Sequence, residues 1–305
     1  MSPRKNDADR LAAIEALVCR DVGRKTAELI GASAGGLAAA GRALAGATSV
    51  GLITGFFVPR GDVAAPETDG PVGAALLAAA LAACGVPARI AVDTPCAAAV
   101  RAAVDAAGGG VAVDEVGVDD RAALERLVND WRGAHVSHAV TIERCGRSAD
   151  GKPRNMRGVD VGRWTAPLDD VFLGGPWGKL AVGDGGNEIG MGKLPPGLIA
   201  RTVPNGEKIA CVTSCDHLIV AGVSNWGAYG LMAALAVLRP DWSVAIARFL
   251  TAERDLAVTR ATVDKAGAVD GVTARREATV DGFGPEIHGP LVDELGRIAR
   301  GQAAD

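Results

Sequence analysis

The run Ser49-Val50-Gly51-Leu52-Ile53-Thr54-Gly55-Phe56-Phe57 is apolar and β-branched, and the reading of the whole chain starts from it. A short apolar run of this kind, bounded by turn residues, reads as a strand buried on both faces. A loop of Gly, Pro and Asp follows, and then an alanine-rich helix opens at Pro71. The alternation continues outward: strand 89–92, helix 96–107, strand 111–116, helix 121–131 and strand 138–142. Residues 144–179 form a loop-rich insertion. Beyond it come short strands at 180–182, 208–212 and 218–223, then a helix at 228–238 that ends before Pro240. The segment before Gly46 reads as two helices. Strands alternating with helices imply βαβ units, so the expected fold is α/β, a layered, mainly parallel sheet flanked by helices. No internal repeat or linker is evident, and 1–305 reads as one domain.

Composition narrows the function. The chain has 305 residues, and 49% are hydrophobic, but the apolar residues are chiefly Ala, Val, Leu and Gly with few aromatics. Such a core relies on close backbone approach. A net charge of -4 and a pI near 5.7 argue against nucleic acid or an anionic membrane as partner, since phosphate binding needs a basic patch. Six irregularly spaced cysteines in so long a chain are not a disulfide framework. Cys211, Cys215 and His217 lack a fourth ligand nearby and read as buried packing rather than zinc. The polar first ten residues carry no signal-peptide core, and the uncharged stretch 71–88 is mostly alanine, which favours a buried helix over a membrane span. A cytoplasmic protein is expected; self-association into a homo-oligomer is left open.

In open parallel sheets, ligands bind beyond the carboxyl ends of the strands, so polar residues there carry the information. Three places qualify. Thr54-Gly55 is followed by Glu67-Thr68-Asp69-Gly70-Pro71, which sets two acids at a helix N-terminus, where they also serve simply to stabilise the helix dipole. Val182-Gly183-Asp184-Gly185-Gly186-Asn187-Glu188-Ile189-Gly190-Met191-Gly192-Lys193 resembles a phosphate loop but fails the pattern. Asn187 stands where glycine is needed and Leu194 where Ser or Thr would hold magnesium. With no G-x-G-x-x-G after any strand either, no nucleotide cofactor is expected. Asp184, Asn187 and Glu188 on a glycine-rich backbone suit instead a hard cation such as Mg²⁺ or Mn²⁺. Ala221-Gly222-Val223-Ser224-Asn225-Trp226-Gly227 ends a strand and starts a helix, whose free N–H groups could receive a substrate carboxylate. Between these lie Ile142-Glu143-Arg144, at a strand end, and Asn155-Met156-Arg157-Gly158-Val159-Asp160, which offers Arg157 for a carboxylate and Asp160 as another acid. No Ser/His/Asp pattern supports nucleophilic catalysis.

Ile53-Thr54-Gly55-Phe56 and the segments 67–71, 155–160, 183–192 and 221–227 together resemble the D-glutamate cyclase C-terminal domain family, five motifs in order within a match from about Arg20 to about Pro290. The resemblance implies a stand-alone prokaryotic member that closes D-glutamate into 5-oxo-D-proline with loss of water. It implies a site of Glu67, Asp69, Asp184 and Glu188 as catalytic acids. Thr54, Gly55, Arg157, Gly185, Asn187, Ser224 and Asn225 would face the amino-acid substrate. A divalent cation would sit among Asp184, Glu188, Glu67, Asp69 and Asp160. A metal-dependent phosphohydrolase acting on a small ester is the alternative, and a non-catalytic glutamate-binding domain a third.

Overall fold

The computed structural model describes residues 5–61 and 63–302. Eight strands run β1 Val50–Thr54, β2 Phe57–Arg60, β3 Val63–Pro66, β4 Ala88–Asp93, β5 Ala112–Val116, β6 His138–Ile142, β7 Gly178–Gly183 and β8 His217–Val220. Six form one sheet in the order β5-β4-β1-β6-β7-β8, with every neighbouring pair parallel. β2 and β3 form a separate antiparallel hairpin. The α/β expectation holds.

Both faces of the sheet are covered at its centre, where all five residues of β1 are apolar or small and buried, whereas the edge strand β5 carries Asp114 and Glu115 and is buried only at Val116. One core joins the sheet to the helices Lys5–Val18, Gly36–Leu44, Pro71–Ala83, Thr94–Ala107, Ser224–Leu238 and Pro285–Ala299. The other packs Ala27–Ala32, Arg121–Gly133, Asp169–Leu173 and Leu198–Thr202 against the opposite face. The small residues allow this closeness. A Cβ on Gly51 would fall 2.3 Å from the Trp131 ring, which lies across β1.

The order is that of a doubly wound sheet whose direction of winding reverses between β1 and β6. Such a reversal opens a crevice at the strands' carboxyl ends. Thr54 ends β1 and Ile142 ends β6, so the residues that follow them flank the crevice.

Several boundaries differ from the sequence expectation. The opening segment holds three helices, not two, because Gly35 takes a left-handed turn between Ala27–Ala32 and Gly36–Leu44. The 49–57 run breaks after Thr54, where Gly55 adopts φ +107°, and Phe57 starts the hairpin. Residues 208–212 are not a strand. Gly206–Ile209 is a short helix, and Cys211 makes only an isolated bridge to Ser148. The chain beyond Pro240 adds the helices Ser243–Ala247, Ala252–Ala266 and Pro285–Ala299. Among the described residues, no single helix is long and apolar enough to cross a membrane. The alanine helix Pro71–Ala83 is buried along nearly its whole length.

A buried ion pair ties the 144–179 section to the sheet. Arg144 Nη2 lies 2.6 Å from Asp93 Oδ2, and the same guanidinium donates to the carbonyls of Gly55 and Ala166. Arg144 therefore serves the frame rather than the crevice.

Candidate active site

The crevice is walled by four backbone devices, each holding an acid. The first joins two helix starts. Asp69 accepts hydrogen bonds from the backbone N–H groups of Ser224 (3.0 Å) and Asn225 (2.8 Å), so a carboxylate from elsewhere in the chain caps the Ser224–Leu238 helix. In return, Asn225 Oδ1 accepts from the N–H groups of Gly70 and Gly73 at the start of the Pro71–Ala83 helix, and its Nδ2 donates to the Thr68 carbonyl. The helix start expected to receive a substrate carboxylate is thus already occupied by Asp69. Ser224 and Asn225 act as braces.

Replacing Asn225 with alanine takes the acceptor from the buried Gly73 N–H and the donor from the Thr68 carbonyl, while the Gly70 N–H keeps Asp69 Oδ1. At roughly 1–3 kcal/mol for each of these two groups, a loss of about 2–4 kcal/mol is expected, read from the urea midpoint. A loss below about 1 kcal/mol would show that the brace is unnecessary.

The second device is the glycine-rich loop. Glu188 Oε1 accepts from the N–H groups of Asp184 (3.0 Å) and Gly185 (2.6 Å), and Oε2 accepts from that of Gly186 (2.7 Å). Successive N–H groups converging on one carboxylate form an anion nest. Gly186 and Gly190 sit at φ +105° and +104°, and a Cβ on Gly190 would lie 2.1 Å from that of Ala181. The loop's glycines fold the chain tightly enough to place Asp184 beside Glu188.

The third is the end of β6. Glu143 takes φ +43°, a left-handed conformation costly for a residue with a side chain. It is buried, and its Oε2 accepts from Ser224 Oγ at 2.6 Å. The fourth is a C-terminal segment that pairs Val269 with Pro66 and Thr68. There the Asp270 carboxylate accepts from the N–H groups of Val272, Thr273 and Gly282, fixing the turn that carries Asp281. His288, which accepts at Nδ1 from Trp226 Nε1 and donates through Nε2 to the Val280 carbonyl, anchors the residue just before it.

Two groups of three carboxylates result, sharing Asp184. Asp69, Asp184 and Asp281 have oxygens within 4.8 Å of one another, as do Glu143, Asp184 and Glu188. Arg24 is the cation among them, 2.9 Å from Asp184 and 2.7 Å from Asp281. Glu67 completes the wall of a cavity of about 470 Å³, with Asn155, Met156, Arg157 and Lys25 also lining it.

So many acids buried in one place resist ionisation. Burial, then Asp281 and Asp69, pushes the Glu67 carboxyl well above the usual range. Burial, then Asp184 and Glu188, does the same to Glu143. Asp184 is raised by burial, with Arg24 opposing and Asp281 assisting. Asp69 is raised by burial and Asp281, while the amides of Asn225 and Ser224 oppose. Burial alone would lower the Arg24 guanidinium, but Asp184 and Asp281 outweigh it.

A family model described as D-glutamate cyclase-like, C-terminal, matches residues 14–296. The chain belongs to this family. A curated relative, the mitochondrial D-glutamate cyclase of Homo sapiens, is 36% identical over 208 residues, which is 64% of this chain and 34% of the human protein. The chain therefore spans about a third of the length of that relative.

In this member of the D-glutamate cyclase-like family, Glu67, Asp69, Asp184 and Glu188 gather as the sequence suggests, and Asn187 and Arg157 line the same cavity. Asn187 Nδ2 donates to the Arg154 carbonyl, and Arg157 is exposed at the mouth. Thr54 is fully buried beneath Gly70, and the Gly55 carbonyl is taken by Arg144. Gly185 gives its N–H to Glu188. Asp160 does not join them: its carboxylate pairs with Lys152 and the Gly162 N–H in an exposed loop, so it is no ligand candidate. Arg24, Glu143 and Asp281 were missed. Glu143 had the signal of a polar strand end; Arg24 and Asp281 had none.

The raised carboxyls have a consequence for stability. A carboxyl whose folded value lies above its unfolded one takes up a proton on folding, so its contribution is full below the unfolded value and is lost as pH rises through the folded one. Glu67, Asp69, Glu143 and Asp184 all act in this sense. Without divalent cations, the melting temperature should therefore fall as pH is raised from about 5 to about 8, the range just above ordinary carboxyl values. Scanning fluorimetry across that range tests it, and a melting temperature that climbs with pH would contradict the electrostatic picture.

Proposed function

We propose that this protein cyclises D-glutamate to 5-oxo-D-proline with loss of water. The observation that carries the reading is the convergence of Glu67, Glu143, Asp184, Glu188 and Asp281 on one cavity, with Asp69 grouped beside Asp184 and Asp281 and the exposed cations Lys25 and Arg157 also in its lining. An acidic floor suits an ammonium, and the exposed cations suit the α-carboxylate. Holding both ends brings the amine near the γ-carboxyl carbon, the alignment that ring closure needs.

The reaction requires that the ammonium lose a proton. Glu143 is the base in this reading: Ser224 Oγ fixes its orientation, and burial, then Asp184 and Glu188, raise its proton affinity above that of an ordinary carboxylate, which makes it a stronger base. The freed amine attacks the γ-carboxyl carbon, a C–N bond forms, and a C–O bond breaks. The departing oxygen leaves as water, taking the proton collected by Glu143 and a second one shed by the ring nitrogen. Glu67, whose carboxyl burial, Asp281 and Asp69 push above the usual range, lines the same cavity and is the group to relay the first of these.

A divalent cation fits the donor set, since each carboxylate triad offers hard oxygens converging on one place, and Arg24 already answers the demand for positive charge there. Asp69, Asp184 and Asp281 would hold Mg²⁺ or Mn²⁺ while leaving Glu143 free. Such a cation supplies charge withdrawal from the γ-carboxylate and stabilisation of the leaving oxygen.

The test is to incubate the purified chain with D- and L-glutamate separately, with and without Mn²⁺ or Mg²⁺, and to quantify 5-oxoproline. Product from D-glutamate is expected. Absence of product under every condition would discard the reading and bring a screen of phosphate esters forward.

A further inference from the structure

The cavity is larger than its proposed substrate needs, and its outer part has the wrong chemistry for glutamate alone. A space of about 470 Å³ is within the roughly 300–1,000 Å³ range of sites that hold drug-sized ligands, whereas glutamate is a small, doubly anionic molecule. Besides the acids and the polar Lys25, Asn155, Arg157 and Asn187, the lining has an apolar part from three separate segments: Phe56, Val58 and Pro59 at the β2–β3 hairpin, Met156 from the 144–179 section, and Val272 from the C-terminal turn. Met156 and Val272 are 37% and 49% exposed, so two large apolar side chains that line this cavity also reach solvent. Apolar surface left uncovered at a cavity mouth marks a place where apolar ligand surface is received.

Ring closure says which part of a ligand would reach that wall. In 5-oxoproline the nitrogen is bonded to both the α-carbon and the former γ-carboxyl carbon. An amine seated among the acids therefore sends two groups outward, the α-carboxylate and whatever leaves the γ-carboxyl carbon. Lys25 and Arg157 answer the first. The apolar wall answers the second, and neither an oxide nor a hydroxide has any use for it.

We infer that the site also accepts γ-glutamyl amides of apolar amines, releasing the amine as it forms 5-oxoproline; the inference rests on the cyclising chemistry proposed above. The α-amine, having given a proton to the acidic wall, attacks the γ-carbonyl carbon. A new C–N bond forms and the amide C–N bond breaks. The departing nitrogen takes the proton shed by the attacking one, so the products are 5-oxoproline and a free amine, with no water, oxidant or other co-reactant consumed. An amide carbonyl carries no negative charge, which makes it a better electrophile than a carboxylate.

The experiment compares D-glutamate with the methyl-, butyl- and hexylamides of γ-linked D-glutamate, using the intact chain with Mn²⁺ present, and measures 5-oxoproline and amine together. Expected are equal amounts of the two products and a kcat/KM that rises with chain length, at least tenfold from methyl to hexyl. An amide series that is flat or falling while D-glutamate is cyclised overturns the inference and spares the glutamate reading. Amides cyclised without any turnover of D-glutamate keep the inference and remove the glutamate reading. No 5-oxoproline from any compound removes both.

Discussion

Changing Asp184 to asparagine should lower 5-oxoproline formation on the order of a thousandfold, within the range by which positioned acid–base and electrostatic groups speed reactions. Asp184 is the only residue common to both carboxylate triads among the described residues, and it anchors one arm of Arg24. Asparagine keeps the shape, one acceptor oxygen and the backbone N–H that serves Glu188, so the nest survives. Folding should hardly suffer. Arg24 keeps Asp281 as partner, and one charge leaves a crowded acidic wall. The melting temperature is therefore expected to stay level or rise. The gain in melting temperature on adding Mn²⁺, expected of any site that binds the cation only when folded, should shrink or vanish. Full activity in the variant would remove Asp184 from the site.

Changing Glu143 to glutamine should cost about a hundred- to ten-thousandfold in kcat with little change in KM, because a base is removed while the wall stays in place. The glutamine carbonyl can still accept from Ser224 Oγ, so a structural role alone would leave the rate nearly intact. The pH profile separates the two roles. A base works when deprotonated, so wild-type kcat should rise as pH climbs through the raised value of Glu143, and the variant should lack that limb. A variant with the wild-type profile would pass the role of base to Glu67.

How much of this was written locally in the chain can be judged residue by residue. β1 announced itself through Val50, Leu52 and Ile53, and the glycine-rich loop through Gly183 to Gly192, because in both cases the physical cause lies within a few positions. The 208–212 run misled because its apolar residues, Ile209 and Cys211, are buried by a helical turn and a single bridge rather than by a ladder. The start of the Ser224–Leu238 helix was placed four residues late because its capping group, Asp69, lies far upstream. The same reason hid Asp281 and Arg24. Each owes its place to pairings across the whole fold, with Asp270 and His288 setting one and Asp184 drawing in the other. Asp160 failed in the opposite way. It looked like its neighbours in sequence but found a lysine in its own loop.

The ion pairs from Arg24 to Asp184 and Asp281 join the two ends of the chain through its middle. During synthesis, the acidic wall stays incomplete until the Asp281 turn has left the ribosome and docked against Pro66 and Thr68. A nascent chain stopped at residue 260 would already own every strand of the sheet. It would still lack the Asp281 carboxylate, one of the two partners that steady Arg24. Competence for chemistry should therefore emerge late and abruptly in translation, well after the sheet has formed.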